Sequence, residues 1–281
     1  MPSLRDQLNL AENRLIGGTH PARARQDAET LLRFVLDKNR AWLITHQEVA
    51  LSTEEAIYYG EMVERRATGE PIQYITGEAE FYGLPFLVTP DVLITRPETE
   101  HLVEKVIALA HQFRKPRIVD IGTGSGAIAI ALASHLPHAA ITAIDLSTSA
   151  LAIAQKNAKH NGVAIRFLQG ELLDPVAGEE FEIIVSNPPY VPTTDRDSLS
   201  VEVRDHEPAL ALFAGADGLD IYRRLIPQAF TGLVPGGYLA LEIGYGQSQS
   251  IEALLAASGF KQIEFVPDLQ SIPRVAVAQH P

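Results

Sequence analysis

Asn187-Pro188-Pro189-Tyr190 holds the residue types best suited to chemistry in this chain. The Asn187 side-chain oxygen and the Pro188 carbonyl are two acceptors one residue apart, and Tyr190 offers a flat face beside them. Two convergent acceptors against an aromatic platform suit a planar NH2 group, either a carboxamide or the exocyclic amine of a base. The preceding run, Phe181-Glu182-Ile183-Ile184-Val185-Ser186, is short, apolar and β-branched, as expected of a strand inside a parallel sheet. Pro188 and Pro189 have no N–H to give, so they end the ladder and fix the backbone beyond the strand's carboxyl end. That edge is where open α/β sheets bind ligands. A proline-rich turn capped by asparagine would show the same four residues, so the rest of the chain has to decide.

Upstream, Arg117-Ile118-Val119-Asp120-Ile121 reads as a strand that runs into Gly122-Thr123-Gly124-Ser125-Gly126 and then an Ala/Ile/Leu-rich helix from Ala127. Residues without Cβ let a backbone approach a nucleotide-like ligand closely. The spacing is G-x-G-x-G, with the third glycine one place earlier than in a dinucleotide fingerprint. A second strand, 139–144, ends in Asp145, whose carboxylate can take both hydroxyls of an adenosine ribose. Ser147 then caps a helix over 147–161. Glycine turn, next-strand aspartate and Asn-Pro-Pro-Tyr together read as an adenosylmethionine site beside an amide-nitrogen acceptor.

At this point the chain resembles the HemK-type class I methyltransferases, the protein-glutamine methyltransferases that modify peptide-chain release factors. Glu70-Pro71-Ile72-Gln73-Tyr74-Ile75-Thr76-Gly77 and Phe81-Tyr82-Gly83 resemble that family's linker, and Leu93-Ile94-Thr95-Arg96-Pro97-Glu98-Thr99-Glu100 its entry to the catalytic domain. Glu207-Pro208-Ala209-Leu210, Gly215-Ala216-Asp217-Gly218-Leu219 and Leu241-Glu242-Ile243-Gly244 resemble later segments. The likeness spans nearly the whole chain and is weakest before Glu70. Three departures stand out: Thr95 where proline is usual, Glu171 where aspartate is usual, and a C-terminal Asp268-Leu269-Gln270-Ser271 without the usual Gly and second Asp.

The resemblance implies methyl transfer from S-adenosyl-L-methionine, leaving S-adenosyl-L-homocysteine, to the N5 amide nitrogen of a glutamine in a Gly-Gly-Gln loop of release factors. Catalysis is expected from Asn187, Pro188 and Tyr190, with Pro189 also in the substrate slot. The cofactor is expected against Gly122, Thr123, Gly124, Ser125, Gly126, Asp145, Asn187 and, near the adenine, Glu171 or Leu172. Asp120 either reaches the methionine amino group through water or serves the turn. Arg96 and Glu98 either flank the entrance or form surface ion pairs, and Phe81 and Leu93 are expected in the core rather than as slot walls. A sister enzyme acting on a large-subunit ribosomal protein and an exocyclic-amine nucleic-acid methyltransferase are the alternatives.

Composition narrows these classes. The 281 residues are 46% apolar and suffice for one large α/β domain with a smaller one. No cysteine is present, which removes disulfides, thiol nucleophiles and Cys-based metal sites, and no metal ligand set is expected. A net charge of −12 argues against broad binding to a phosphate backbone. No apolar run approaches a membrane span and the start lacks a signal-peptide pattern, so a cytoplasmic protein is expected; it is also expected to be a monomer.

Three regions are expected: an N-terminal helical substrate-docking domain over 1–70, a β-hairpin linker over 71–98, and the methyltransferase domain over 99–281. Leu4, Leu8, Ala11 and Leu15 recur at helical spacing, and Ser52 or Thr53 before Glu54-Glu55 marks a helix start. Strand-like pieces run from Gln73 to Val88, broken at Gly77 and Gly83-Leu84-Pro85. Strands near 117–121, 139–144, 164–168, 181–186, 237–243, 261–266 and 274–279 alternate with helices, including 219–231 and 247–257. This predicts a Rossmann-like α/β fold with a mostly parallel seven-stranded sheet covered on both faces.

Overall fold

The computed structural model describes residues 2–281. The chain divides into two compact units. One runs to Gly77 and also takes in Leu199–His206; the other comprises Glu78–Ser198 and Glu207–Pro281.

The first unit is helical: α1 (Leu4–Ile16), α2 (Ala24–Leu36), α3 (Arg40–Thr45), α4 (Thr53–Ala67) and α5 (Ile72–Thr76). Ser3 and Ser52 begin α1 and α4 with capping boxes, each hydroxyl accepting from the backbone three residues on while Asp6 or Glu55 reaches back. Leu4, Leu8, Ala11 and Leu15 line the buried face of α1, as their spacing requires, and meet Leu31, Leu32, Tyr59 and Met62. The strand-like start expected at Gln73 is instead the single helical turn α5. Pro71 precedes its first turn and Gly77, at φ 76°, ends it in the left-handed region, so the hairpin starts only at Glu78.

Arg66 is the unit's buried cation. Its Nε donates to Asp27 Oδ2 at 2.6 Å and its Nη1 to both the Glu70 carbonyl and Glu202. Glu202 belongs to the returning segment Leu199–His206, so a piece of chain from far downstream supplies a second carboxylate to a side chain only 3% exposed.

In the second unit, β1 (Glu78–Phe81) and β2 (Leu84–Leu87) form an antiparallel hairpin. After α6 (Glu98–Ala110) follow β3 (Arg117–Ile121), α7 (Ala127–His135), β4 (Ala140–Asp145), α8 (Thr148–His160), β5 (Arg166–Gln169) and β6 (Phe181–Ser186). The short α9 (Val201–His206) lies in the segment that returns to the helical unit. Then come α10 (Asp220–Gly232), β7 (Leu233–Glu242), α11 (Ser248–Ala257), β8 (Lys261–Pro267) and β9 (Pro273–Gln279). The seven-stranded sheet runs β5-β4-β3-β6-β7-β9-β8; only the pairs involving β9 are antiparallel.

Side chains alternate across this sheet with period two. Ile118, Ile183 and Val185 join α6 and α7 on one face, while Val119, Ile184, Leu239 and Leu241 join α10 and α11 on the other. Burial on both faces explains why these strands read as continuous apolar runs. Among the described residues, no helix is long and apolar enough to cross a membrane.

Candidate active site

Strand register assembles the site. Ile121 pairs with Ile144 on one side and Ser186 on the other, and Ser186 pairs with Leu241. The next residue of each strand therefore lies along one carboxyl edge, in the order Asp145, Gly122, Asn187, Glu242. Strand order reverses between β3 and β6, the switch point where open sheets leave a crevice. Ser186 Oγ stitches that point shut by donating to the Ile121 carbonyl at 2.7 Å.

A cavity of about 300 Å³ opens on this edge. Gly122, Gly124, Asp145, Glu171, Leu172, Asn187, Pro188 and Pro189 all line it, joined by Leu93, Leu146, Pro208 and Leu210. Gly122 and Gly124 hold φ of 71° and 56°, and an added Cβ at either would meet no protein atom within 4 Å. Glycine is needed there for conformation, and its bareness leaves the backbone open to a ligand. Gly126, at φ 83°, is required for a different reason: a Cβ would press on Ile130 and on Ala154 of α8.

Asp145 is held by backbone. Its Oδ2 accepts from Gly124 N and its Oδ1 from Ser147 N, both at 2.8 Å. Burial pushes its carboxyl above the usual carboxylate range against the pull of these two bonds. Each oxygen retains lone pairs, so the group can still accept from a vicinal diol. Thr123 and Ser125 sit buried behind the turn rather than on the cavity wall. Thr123 Oγ1 donates to Asp120 Oδ2 at 2.6 Å, and the Ser125 carbonyl accepts from Asn157 Nδ2 at 2.9 Å. Burial raises the Asp120 carboxyl to about 7, with Asp145 adding to the rise. Its Oδ1 is buried without a hydrogen-bond partner among the described residues. Glu171 is exposed at the rim and pairs with Arg224 at 2.6 Å, and Leu172 turns the wall with φ 49°.

The other half of the edge is a side-chain network. Asn187 Nδ2 donates to Thr99 Oγ1 at 3.2 Å, and the Thr99 hydroxyl donates to Glu242 Oε2 at 2.6 Å. Tyr190 donates its hydroxyl to Glu242 Oε1 at 3.2 Å, and Tyr222 donates to the Glu242 carbonyl at 2.7 Å. Tyr190 does not line the cavity: it leans on Gly244, where a Cβ would come within 3.1 Å of its ring. Gln247 clamps the loops by giving its NH2 to the Tyr190 carbonyl at 3.0 Å and taking Gly244 N–H at 2.9 Å.

Arg96 Nη2 donates to both carboxylate oxygens of buried Glu207, at 2.6 and 2.8 Å, tying the entry segment to the wall beside Pro208. Phe81 is a core residue, while Leu93 is on the cavity wall. Thr99, Glu242, Asn157 and Gln247 were not singled out from sequence. Only Glu242 carried a signal: a carboxylate in the buried run Leu239-Ala240-Leu241-Glu242-Ile243 requires partners.

Comparison with known proteins identifies the family. Residues 98–203 match the family model of the methyltransferase small domain, and residues 7–77 that of the PrmC N-terminal domain. The chain is 45% identical to the release factor glutamine methyltransferase of Koribacter versatilis, over 92% of this chain and 91% of that one. It is 43% identical to the enzyme of that name from Moorella thermoacetica, over 98% of both. Among solved structures, a methyltransferase from Pyrococcus furiosus superposes with a TM-score of 0.52 at 19% identity, covering 71% of this chain and 90% of that one, a likeness of fold. With identity at this level along almost its full length, the chain belongs to the release factor glutamine methyltransferases.

Proposed function

We propose that this enzyme methylates the side-chain amide nitrogen of a glutamine in peptide-chain release factors, with S-adenosyl-L-methionine as donor, at the carboxyl edge between β3 and β6. One observation carries the reading: a single register line sets an Asp145-Gly122 cradle next to an Asn187 acceptor whose NH2 is already committed to Thr99.

Adenosylmethionine suits the cavity residues. Gly122 and Gly124 would let it approach the backbone, Asp145 would take the ribose hydroxyls, and Glu171 and Leu172 would flank the adenine. The unpartnered Asp120 Oδ1 would balance the methionine ammonium through water. The bound cofactor supplies a sulfonium methyl, an electrophile open to in-line displacement.

The chain's own residues solve the harder problem, an amide nitrogen whose lone pair is delocalised into its carbonyl. Asn187 Oδ1 and the Pro188 carbonyl would each accept one N–H of the substrate amide, fix the nitrogen in place and stabilise the positive charge it develops. The methylated nitrogen then loses one proton to water, so no strong general base is needed. Tyr190 supports this corner by holding Glu242. The helical unit would dock the release factor, whose Gly-Gly-Gln loop would present the glutamine. We extend the reading to a monomeric cytoplasmic enzyme that does not use nucleic acid as substrate, consistent with the acidic balance of the chain.

Labelled adenosylmethionine offered in parallel to unmodified release factor, ribosomal protein and nucleic acid tests this directly. A single methyl on one release-factor glutamine, mapped by mass spectrometry, is the expected result. Label in the ribosomal protein or nucleic acid would overturn the choice of acceptor.

A further inference from the structure

We infer that Glu242, acting through Thr99, is the positioning residue that decides which end of the Asn187 amide faces the substrate. The inference rests on the acceptor role proposed above for Asn187. An asparagine amide can present NH2 or oxygen with almost the same shape, so something must choose. The neighbour of Asn187 is a hydroxyl, which could either donate or accept. Thr99 has one proton, and the 2.6 Å bond to Glu242 Oε2 takes it. Its oxygen can then only accept from Asn187, which commits the NH2 and leaves Oδ1 for the substrate. The choice traces to Glu242 because an ionised carboxylate accepts and never donates.

Glu242 is itself well held. It is 2% exposed, and its other oxygen accepts from Tyr190. Tyr222 from α10 bonds its backbone, Arg274 of β9 draws its charge, and Glu98 in the first turn of α6 opposes it. Burial outweighs these partners and lifts its carboxyl above the usual range. Once protonated, Glu242 can donate to Thr99. The hydroxyl is then free to donate to Asn187, and the amide turns its oxygen away from the substrate.

Two substitutions separate this relay from ordinary packing. Glu242→Gln keeps shape but can offer Thr99 an NH2 donor, and Thr99→Val keeps shape but removes the hydroxyl. Each is expected to lower kcat by roughly 10–100-fold, by analogy with partners that orient metal-ligating side chains. Adenosylmethionine affinity should stay within a factor of about two of the parent, and the double variant should be no worse than the worse single. Thr99→Ser should restore turnover. At saturating cofactor, the parent's kcat should fall on the acid side toward the Glu242→Gln rate, whereas the variant's profile stays flat.

Cofactor titration reports that each variant is folded, and if Glu242→Gln fails that check the Val/Ser pair at position 99 carries the test. Parental kcat in Thr99→Val, or losses that simply multiply in the double variant, would overturn the relay. An inactive Asn187→Ala beside an active Thr99→Val would sink the relay alone. An active Asn187→Ala would sink the acceptor assignment on which it stands.

Discussion

The two halves of the carboxyl edge are built from different materials. Around Gly122 and Asp145 the working groups are mostly backbone: glycines in left-handed conformations and N–H groups that hold one carboxylate. Around Asn187 and Glu242 they are side chains, each oriented by the next from a different element. Backbone geometry follows from strand register and from glycines in left-handed conformations, whereas a side-chain relay fails when one member changes. The first half should therefore set how tightly the donor binds, and the second how fast its methyl moves.

The sharpest way to break that division is at Asn187. Asn187→Ala should lower turnover by about 10²–10³-fold, as loss of one transition-state acceptor does elsewhere, while cofactor titration remains close to the parent. A matching loss of cofactor affinity would erase the distinction between the halves. The mirror experiment is Asp145→Ala. Removing hydrogen bonds to a charged acceptor should weaken adenosylmethionine binding by about 10–100-fold. The kcat at saturating cofactor should stay near the parent's, and a collapse there would show that the backbone half also drives chemistry.

A smaller effect probes Asp120, the fully buried carboxyl of the backbone half. The Asp120 carboxyl lies at about 7, against an ordinary 3.8, because it is buried. A folded-state value above the unfolded one means that its contribution to stability is complete below about pH 4 and is lost as pH rises through about 7. Asp120→Asn removes that loss, so the cofactor-free variant should gain on the order of 1–3 kcal/mol over the parent between pH 4 and pH 8. Thermal unfolding at both pH values measures it. Parallel pH dependence in the two proteins would assign the loss to another group.

This asymmetry also governs what could be read from the chain itself. Strand ends are marked locally, by glycines after Ile121 and prolines soon after Ser186, so the sheet and the Gly122, Gly124, Asp145 and Asn187 positions on the cavity were legible, while Thr123, Ser125 and Tyr190 lie off its wall and Leu93 lies on it. The relay was not. Thr99 and Asn187 are 88 positions apart, and Thr99 and Glu242 are 143 apart. Their meeting depends on β6 lying beside β7 and on α6 crossing both, which no local pattern encodes. Glu207 was missed as the partner of Arg96 for the same reason, at a separation of 111. The turn over Ile72–Thr76 was mistaken for strand because five residues are too few to display a period.

The segment Leu199–His206 has a consequence for synthesis. Residues up to Gly77 leave the ribosome before Leu199–His206, yet one of the two carboxylates that Arg66 bonds is Glu202. At ~5–20 residues per second, the chain beyond Gly77 needs several more seconds to deliver that residue. Until then the Arg66 guanidinium has only Asp27 and the Glu70 carbonyl as partners. An expression fragment ending at residue 77 would make that waiting state permanent.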